Sequence, residues 1–174
     1  MFVSEIIPNL WVCDYDVIGT KYFNSRNIGL YVHVYTFQNK VNLKINYNQT
    51  HIEIKIKDIT SNMYYSNNEI NKRQIMRYSK EFAESIYEHI ERIHKFLKNM
   101  QGVVIYSKHG IQKAATVAAA YLILKSNVNF STSINIMNSK EPLFFKDIEN
   151  LDQTRYDNLN YILYEHTLKY IERY

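Results

Sequence analysis

A short polar segment near the middle of the chain joins a predicted buried strand to a predicted buried helix, and its residue types suit anion binding. The strand is GVVIYS (residues 102–107) and the helix is KAATVAAAYLILKS (residues 113–126). Backbone N–H groups at a helix N-terminus attract anions, and nearby lysines add positive charge. The candidate anion-binding residues are Ser107, Lys108, His109, Gly110, Ile111, Gln112 and Lys113.

Nucleophilic chemistry at the same segment would have to use the hydroxyl of Ser107. A serine attacks only when an adjacent group accepts its proton. Lys108 and Lys113 are cations, which leaves His109 as the neighbouring candidate base. No aspartate stands at a spacing that supports a serine–histidine–aspartate triad. The segment therefore favours binding over catalysis.

Alternating and continuous apolar stretches predict the strands that position this segment. LWVC (residues 10–13) and GLYVHVYTF (residues 29–37) are two of them, the second with Leu30, Val32 and Val34 on one face. A third stretch alternates strictly, which indicates one buried face near a sheet edge. Its apolar residues are Ile52, Ile54 and Ile56, and its polar residues are His51, Glu53, Lys55 and Lys57.

Helical spacing predicts an amphipathic helix over residues 80–98, whereas residues 113–126 are apolar on nearly all sides and belong inside the fold. Residues 59–74 are polar and lack a period, so we expect a loop there. Another helix should begin near Ser131, its predicted N-cap. The C-terminal helix is predicted to bury one face, formed by Leu159, Ile162, Leu163, His166 and Tyr170.

These segments predict an α/β fold in which helices flank a central, mostly parallel twisted sheet, within a single domain of residues 1–174. The strand of residues 102–107 leads into the most buried helix. Such a junction is the natural place for a ligand in an open α/β sheet.

Composition and charge limit the partners and the compartment. The chain has a net charge of +4, but its basic residues are interleaved with acidic ones, which argues against a nucleic-acid partner. No apolar run is long enough to span a bilayer, so no membrane partner is expected. Cys13 is the single cysteine, which favours a reducing, cytoplasmic location. Abundant Tyr, Asn, Ile and Lys indicate an AT-rich coding sequence, as in a large DNA virus, so that cytoplasm would be the host cell's, or in an intracellular parasite.

The other residues with chemical potential predict no metal site. His89 and His94 are five positions apart and do not share a helix face. Cys13 lies in an apolar strand, where a buried inert thiol is expected. His166 falls on the predicted apolar face of the last helix, which favours a core histidine. No cofactor is expected.

Three segments resemble dual-specificity protein phosphatases. SEIIPNLWVCDYD (residues 4–16) is similar to the opening of these proteins. VVIYSKHGIQKAATVAAAYLI (residues 103–123) resembles their signature loop and its helix, and SINIMNSKEPLFF (residues 133–145) resembles the next helix and its closing turn. The resemblance extends from Ser4 to about Tyr164, and it implies the cysteine-phosphatase fold.

The family signature is His-Cys, five residues, Arg and Ser/Thr, and its reactive positions differ in this chain. The histidine falls on Tyr106, the cysteine on Ser107, the arginine on Lys113 and the Ser/Thr on Ala114, while Gly110 matches the loop glycine. A hydroxyl replaces a thiolate, lysine lacks the bidentate fork of arginine, and alanine has no hydrogen-bond donor. Four changes in one motif predict an inactive member that resembles the STYX-type pseudophosphatases.

Anion binding by the altered loop has two opposing predictions. The backbone N–H groups and the helix N-terminus bind phosphate whatever the side chains are, so a phosphate cradle is expected. His109 and Gln112 are bulkier than the family's usual residues at these positions. If they fill the cradle, the loop is collapsed and holds nothing.

The resemblance also assigns a general-acid position. In the family an aspartate follows a strand, and Asp58 at the end of HIEIKIKD fits that context. Its separation from Ser107 exceeds the family's spacing, and the excess matches the polar segment near Met63 to Gln74. Asp58 is therefore either the degenerate acid or a solvated residue at a strand end.

The sequence thus predicts an inactive phosphatase-like domain that binds a protein partner, in particular a phosphoprotein, and shields or recruits it. Two alternatives stay open: a weakly active protein phosphatase with an unusual nucleophile, and a scaffold that binds partners without reference to phosphate.

Overall fold

A computed structural model of the chain describes residues 1–37, 40–41, 49–57, 69–145 and 154–173. Its centre is a five-stranded sheet. The strands are β1 (Val3–Ile7), β2 (Leu10–Asp14), β3 (Ile28–Thr36), β4 (Thr50–Ile56) and β5 (Gly102–Ser107). Their order is β1-β2-β5-β3-β4, with β1 antiparallel to β2 and every other neighbouring pair parallel. The mostly parallel α/β sheet predicted from the sequence is confirmed.

Four α-helices and two short 3-10 turns complete the described elements. The helices are α1 (Glu69–Lys98), α2 (Lys113–Lys125), α3 (Phe130–Lys140) and α4 (Thr154–Glu172). The 3-10 turns are Tyr15–Val17 and Lys21–Phe23. In the described ranges, no helix combines the length and apolar character that a bilayer-spanning segment needs.

The main core lies between one face of the sheet and the helices. Alternate residues of the strands, such as Val32, Ile54 and Ile105, pack against apolar side chains from all four helices. Helix α2 is buried along almost its whole length, from Ala114 to Ile123. This burial explains why its sequence is apolar on nearly all sides, and it fixes the helix behind the carboxyl end of β5.

The second face of the sheet carries larger and more polar side chains. Cys13, Tyr31, Val104 and Tyr106 form its buried cluster, together with residues of the two 3-10 turns such as Phe23. Because β3 and β5 lie inside a parallel sheet, both of their faces are buried. A polar residue on such a strand is therefore buried whichever face it points to.

Two local predictions from the sequence are wrong. The loop expected over residues 59–74 is helical from Glu69 onward, because Ile75 and Ser79 are buried against the rest of the fold and extend the buried stripe of α1 upstream. Residues 59–68 lie outside the described part. The N-cap of α3 is Asn129 rather than Ser131, since the Asn129 side chain accepts a 2.8 Å hydrogen bond from the N–H of Thr132.

The buried face of α4 is also rotated from its predicted position. His166 is exposed, so the expectation of a core histidine is wrong. The buried residues are Leu163, Tyr164, Thr167, Leu168 and Ile171. Thr167 takes the inward position because its hydroxyl donates to the carbonyl oxygen of Leu163, 2.8 Å away, which satisfies it inside the core. Leu159 and Ile162 lie where side chains are not described.

Candidate functional site

The polar loop leaves the carboxyl end of the central strand, where a ligand site was expected. Strand β5 has β2 on one side and β3 on the other, all parallel, so their carboxyl ends meet at one edge of the sheet. Ser107 ends β5 opposite Asp14 of β2. The loop then spans residues 108–112 and enters α2 at Lys113. The predicted strand–loop–helix junction is confirmed.

Ser107 holds the loop by accepting a hydrogen bond from inside it. The N–H of Gly110 donates to the Ser107 hydroxyl oxygen over 3.0 Å. Ser107 is only 3% exposed, and Gly110 is also buried. One of the loop's inward N–H groups is therefore satisfied by the residue at the nucleophile position, rather than pointing into an open cradle.

Gly110 is required by the backbone at the tightest point of the loop. Its φ is +71°, a conformation that costs other residues energy. A Cβ added there would come within 2.7 Å of both the Asp14 nitrogen and the Cys13 carbonyl carbon. The loop thus rests directly on the backbone at the end of β2, which explains the glycine that the family signature shares.

The start of α2 lacks the side-chain cap that would satisfy its first N–H groups. Gln112 occupies the N-cap position and makes no capping hydrogen bond through its side chain. Its carbonyl accepts from both the N–H and the hydroxyl of Thr116, each at 2.8 Å. The adjoining Ala114 is completely buried, and its side chain has no donor to offer the loop. An anion remains a suitable partner for this helix end.

Charged side chains of both signs surround the loop. Lys108 and His109 are exposed, and Lys113 is half-buried at the start of α2. The pKa of His109 is lowered from 6.5, first by partial burial and then by repulsion from Lys108 and Lys113. Asp14 and Asp16 oppose this shift. Because the lysines outweigh the carboxylates in their effect on this ring, the local field at His109 favours an anion.

Asp14 is the carboxylate nearest to the loop along the sheet, and its oxygens are already occupied. Its Oδ2 accepts from the Phe2 N–H at 2.6 Å and lies 3.6 Å from the amino group of Met1. Its Oδ1 accepts from the Val17 N–H at 3.2 Å. The carboxylate therefore caps a turn and ties down the start of β1. For Asp14 to act as the base that activates Ser107, these hydrogen bonds would have to break.

Tyr106 lies immediately before the loop and contacts side chains on β3 and β4 that the sequence did not predict as its partners. Its hydroxyl lies 2.9 Å from Nε2 of His51 on β4. Its ring stacks on His33 of β3, with 4.7 Å between centroids and 4° between planes. Tyr35 also stacks on His33, with centroids 4.9 Å apart. Tyr106, which stands at the family's histidine position, is thus contacted by two histidines, His33 and His51.

His33 is buried with an unsatisfied ring. It is 1% exposed, and neither ring nitrogen has a hydrogen-bond partner in the described structure. Burial lowers its pKa to about 4, against a smaller opposing effect of Glu53. The alternation of GLYVHVYTF contained the signal, because Leu30, Val32 and Val34 face the helices and His33 must face the other way, on a strand buried on both sides.

Asp58 and Cys13 are the remaining predicted positions. Asp58 lies outside the described residues, so its assignment as a degenerate acid stays a prediction. Cys13 is completely buried and its pKa is raised well above the usual range, first by burial and then by Asp14. The expected burial of this thiol is confirmed. In the described part of the chain, no three His, Cys, Asp or Glu side chains are grouped to hold a metal ion.

The family of the chain follows from comparison with known proteins. The model of the dual-specificity phosphatase catalytic domain matches residues 11–155. The chain therefore belongs to the dual-specificity phosphatase family, as the signature-like segments predicted. No curated protein matches the sequence.

Solved structures of several phosphatase domains have a similar fold at low sequence identity. A leucine-rich-repeat and phosphatase domain protein from Entamoeba histolytica is 18% identical, with a TM-score of 0.62 over 98% of this chain and 90% of that chain. Human DUSP28 is 12% identical, with a TM-score of 0.62 over 96% and 95%. A human tyrosine phosphatase-like serine/threonine/tyrosine-interacting protein is 15% identical, with a TM-score of 0.59 over 90% and 92%.

Proposed function

We propose that this chain is a pseudophosphatase, which binds a protein partner through the loop of residues 107–113 and does not hydrolyse phosphate esters. The observation that carries the proposal is the state of Ser107. It occupies the nucleophile position of the family signature, it is buried, and its oxygen accepts the Gly110 N–H. That hydrogen bond occupies a lone pair of the Ser107 oxygen, and the hydroxyl is far less acidic than a thiol, so it needs a base before it can attack phosphorus.

The surroundings of Ser107 supply no substitute for the missing thiolate. The carboxylate of Asp14 is occupied by backbone N–H groups. His109 has a lowered pKa and is exposed beside two lysines. Ala114 has no hydroxyl with which to stabilise a leaving group. Catalysis would therefore need both a new base and a new stabilising donor.

Phosphate recognition by the same loop is supported by its shape and charge. The loop ends at the uncapped start of α2, and Lys108 and Lys113 keep positive charge around it. Lysine contributes charge without the bidentate geometry of arginine, so the expected grip on one phosphate is weak. A useful affinity would then need contacts with the protein that carries the phosphate. A phosphoprotein fits this requirement better than a free anion.

A second candidate function is a scaffold whose binding ignores phosphate. The Gly110–Ser107 hydrogen bond favours it, because one loop N–H group is satisfied without a ligand. A binding role is supported by the similar human structure, whose name is that of a phosphatase-like interacting protein. The two candidates differ in whether occupation of the loop by phosphate changes partner binding.

Two measurements test the proposal. The first is turnover of a small aryl phosphate by the parent chain, for which we expect no rate above that of a heat-unfolded sample. The second is an NMR titration with inorganic phosphate that follows the Gly110 and Lys113 amides, with chloride at equal ionic strength as the control. Shifts specific to phosphate at these amides support the phosphate-binding form of the proposal. Robust turnover contradicts the pseudophosphatase assignment, and shifts identical in both salts favour the scaffold.

A further inference from the structure

A row of four rings crosses three neighbouring strands just below the loop. Tyr35 and His33 of β3 are stacked, His33 is stacked on Tyr106 of β5, and His51 of β4 extends the row. The sheet register places His33 beside Tyr106, which is why the two rings lie nearly parallel. The row is therefore built by strand pairing and not by a flexible surface contact.

The row is joined directly to the candidate site. Tyr106 precedes Ser107, and Ser107 holds Gly110 through its hydroxyl. The Tyr106 side chain is completely buried, and its hydroxyl reaches Nε2 of His51 at 2.9 Å. His51 lies on β4, at the edge of the five-stranded sheet, and is only half-buried. A titratable group accessible to protons is thus one hydrogen bond away from the strand that carries the loop.

We propose that His51 acts through Tyr106 as a positioning residue for the loop of residues 107–113, and that protonation of His51 loosens this loop. The proposal concerns the same loop as the proposed function, but it does not depend on whether that loop binds phosphate.

The direction of the effect follows from hydrogen-bond roles. A neutral His51 can accept the Tyr106 hydroxyl hydrogen at Nε2, whereas protonated His51 has two donors and no acceptor. The Tyr106 hydrogen would then need another acceptor. His33 lies parallel to the Tyr106 ring, so its ring nitrogens do not face that hydroxyl. A buried hydroxyl hydrogen without an acceptor is unfavourable, and movement of Tyr106 relieves it.

The charged groups around the row are few and partly paired. Glu53 of β4 raises, and Lys40 lowers, the pKa of both His33 and His51. Glu53 also accepts from the Tyr35 hydroxyl at 3.3 Å and pairs with Lys40 at 3.5 Å. The groups that raise the pKa of the Tyr106 hydroxyl, after burial, are Glu53, Cys13, Tyr15 and Tyr31. Burial is the largest influence on both histidines and opposes their protonation, in agreement with acid favouring a more open arrangement.

Hydrogen exchange at the Gly110 amide reports on the loop without any ligand. The parent chain is compared with Tyr106→Phe, which keeps the ring and removes the hydroxyl, and with His51→Gln, which keeps hydrogen-bonding capacity without titrating near neutral pH. The buried amide of Ala118 in α2 serves as the internal reference for global opening. Rates are divided by the intrinsic chemical exchange rate at each pH between 7 and 5.

We expect about tenfold loss of Gly110 protection in the parent between pH 7 and pH 5, the size of one ordinary hydrogen bond. Tyr106→Phe has no hydroxyl hydrogen that could lose its acceptor, so its Gly110 protection should not change with pH, and His51→Gln should keep the higher protection at both pH values. Protection of Ala118 measures any change in global stability, and the protection of Gly110 is compared relative to it. If either variant retains the full pH dependence of the parent, the proposal is wrong. A phosphate titration of the same samples tests the proposed function separately.

Discussion

The ring of His33 lies parallel to the ring of Tyr106, with 4.7 Å between centroids and 4° between planes, in the middle of the sheet. This contact places a histidine, whose ring nitrogens have no hydrogen-bond partner among the described residues, on the strand beside the one that carries the candidate site. Burial in this position lowers the pKa of His33 to about 4 and so favours the neutral imidazole. We therefore expect the stability of the fold to depend on pH.

Acid should destabilise the folded chain through His33. Its pKa of about 4 in the folded state is below the value of 6.5 expected when it is unfolded, so the unfolded state binds more protons in between. The contribution of His33 to the free energy of unfolding is then fully present above pH 6.5 and declines as the pH falls toward 4. The loss amounts to about 3 kcal/mol by pH 4. Urea unfolding at pH 7, 5.5 and 4.5 measures it.

The matched variant for this prediction is His33→Phe, which keeps a flat ring between Tyr35 and Tyr106 but cannot be protonated. Its free energy of unfolding should depend less on pH than that of the parent. Exposed His166→Gln controls for the loss of any histidine and should keep the parent's pH dependence. Parallel pH profiles for the parent and His33→Phe would show that other groups cause the acid sensitivity.

Gly110→Ala should destabilise the chain more than Gly19→Ala does. Both glycines have positive φ, +71° and +85°, so both substitutions have a conformational cost of about 1–2 kcal/mol. At Gly19 an added Cβ meets nothing within 4 Å, whereas at Gly110 it comes within 2.7 Å of the Asp14 nitrogen. The backbone of β2 cannot yield cheaply, so we expect about 3 kcal/mol or more for Gly110→Ala.

Urea denaturation of the two alanine variants gives the comparison directly. Gly19→Ala measures the cost of positive φ alone, and the difference between the variants measures the steric contact of the loop with the end of β2. Equal losses of stability would mean that the loop is free to move away from Asp14.

Ser107→Cys by itself should not restore phosphatase activity. The thiol would regain the nucleophile, whose loss typically costs about 10⁴–10⁶ in rate. The transition state would still lack the fork that Lys113 cannot provide and the hydroxyl missing at Ala114. We expect the combination Ser107→Cys, Lys113→Arg and Ala114→Ser to exceed Ser107→Cys by about 100-fold in kcat/KM, since each charge-assisted hydrogen bond contributes about 1.5–3 kcal/mol.

The assay uses a small aryl phosphate, and circular dichroism of each variant confirms that the fold is kept. Comparable turnover by the single and the triple variant would show that the arginine and hydroxyl positions matter less than their chemistry indicates. An inactive triple variant would place the defect elsewhere, and the position of Asp58 would be the next to examine.

Lys113 should control the affinity of the loop for phosphate. Lys113→Arg restores a bidentate donor and should tighten binding of inorganic phosphate about tenfold, whereas Lys113→Glu should abolish it. Lys140→Glu, at an exposed position at the end of α3, makes the same charge change outside the loop. NMR titration of all four chains at fixed ionic strength measures the dissociation constants. Indistinguishable affinities in the Lys113 variants would separate the loop from anion binding.

The strands and helices that have a clear local pattern of apolar residues could be predicted from the sequence alone. The alternation of Ile52, Ile54 and Ile56 predicted a half-buried edge strand, and the continuous apolar run from Ala114 predicted a helix buried on all sides. The signature-like order of Tyr106, Ser107 and Lys113 also located the candidate site, because a loop between a buried strand and a buried helix has few possible courses.

The tertiary structure decided which side chains satisfy one another. Helix α1 begins at Glu69 within a segment that lacks a helical period, because packing at Ile75 and Ser79 outweighs weak local propensity. The rotation of His166 to the surface likewise depends on which neighbours α4 meets.

The contact of His51 with Tyr106 joins residues 55 positions apart, and only the strand order β5-β3-β4 brings them together. A sequence pattern with a period of two assigns a face to each residue but gives no strand order. The row of rings beneath the loop, and with it the acid sensitivity expected of this protein, is therefore a property of the assembled sheet.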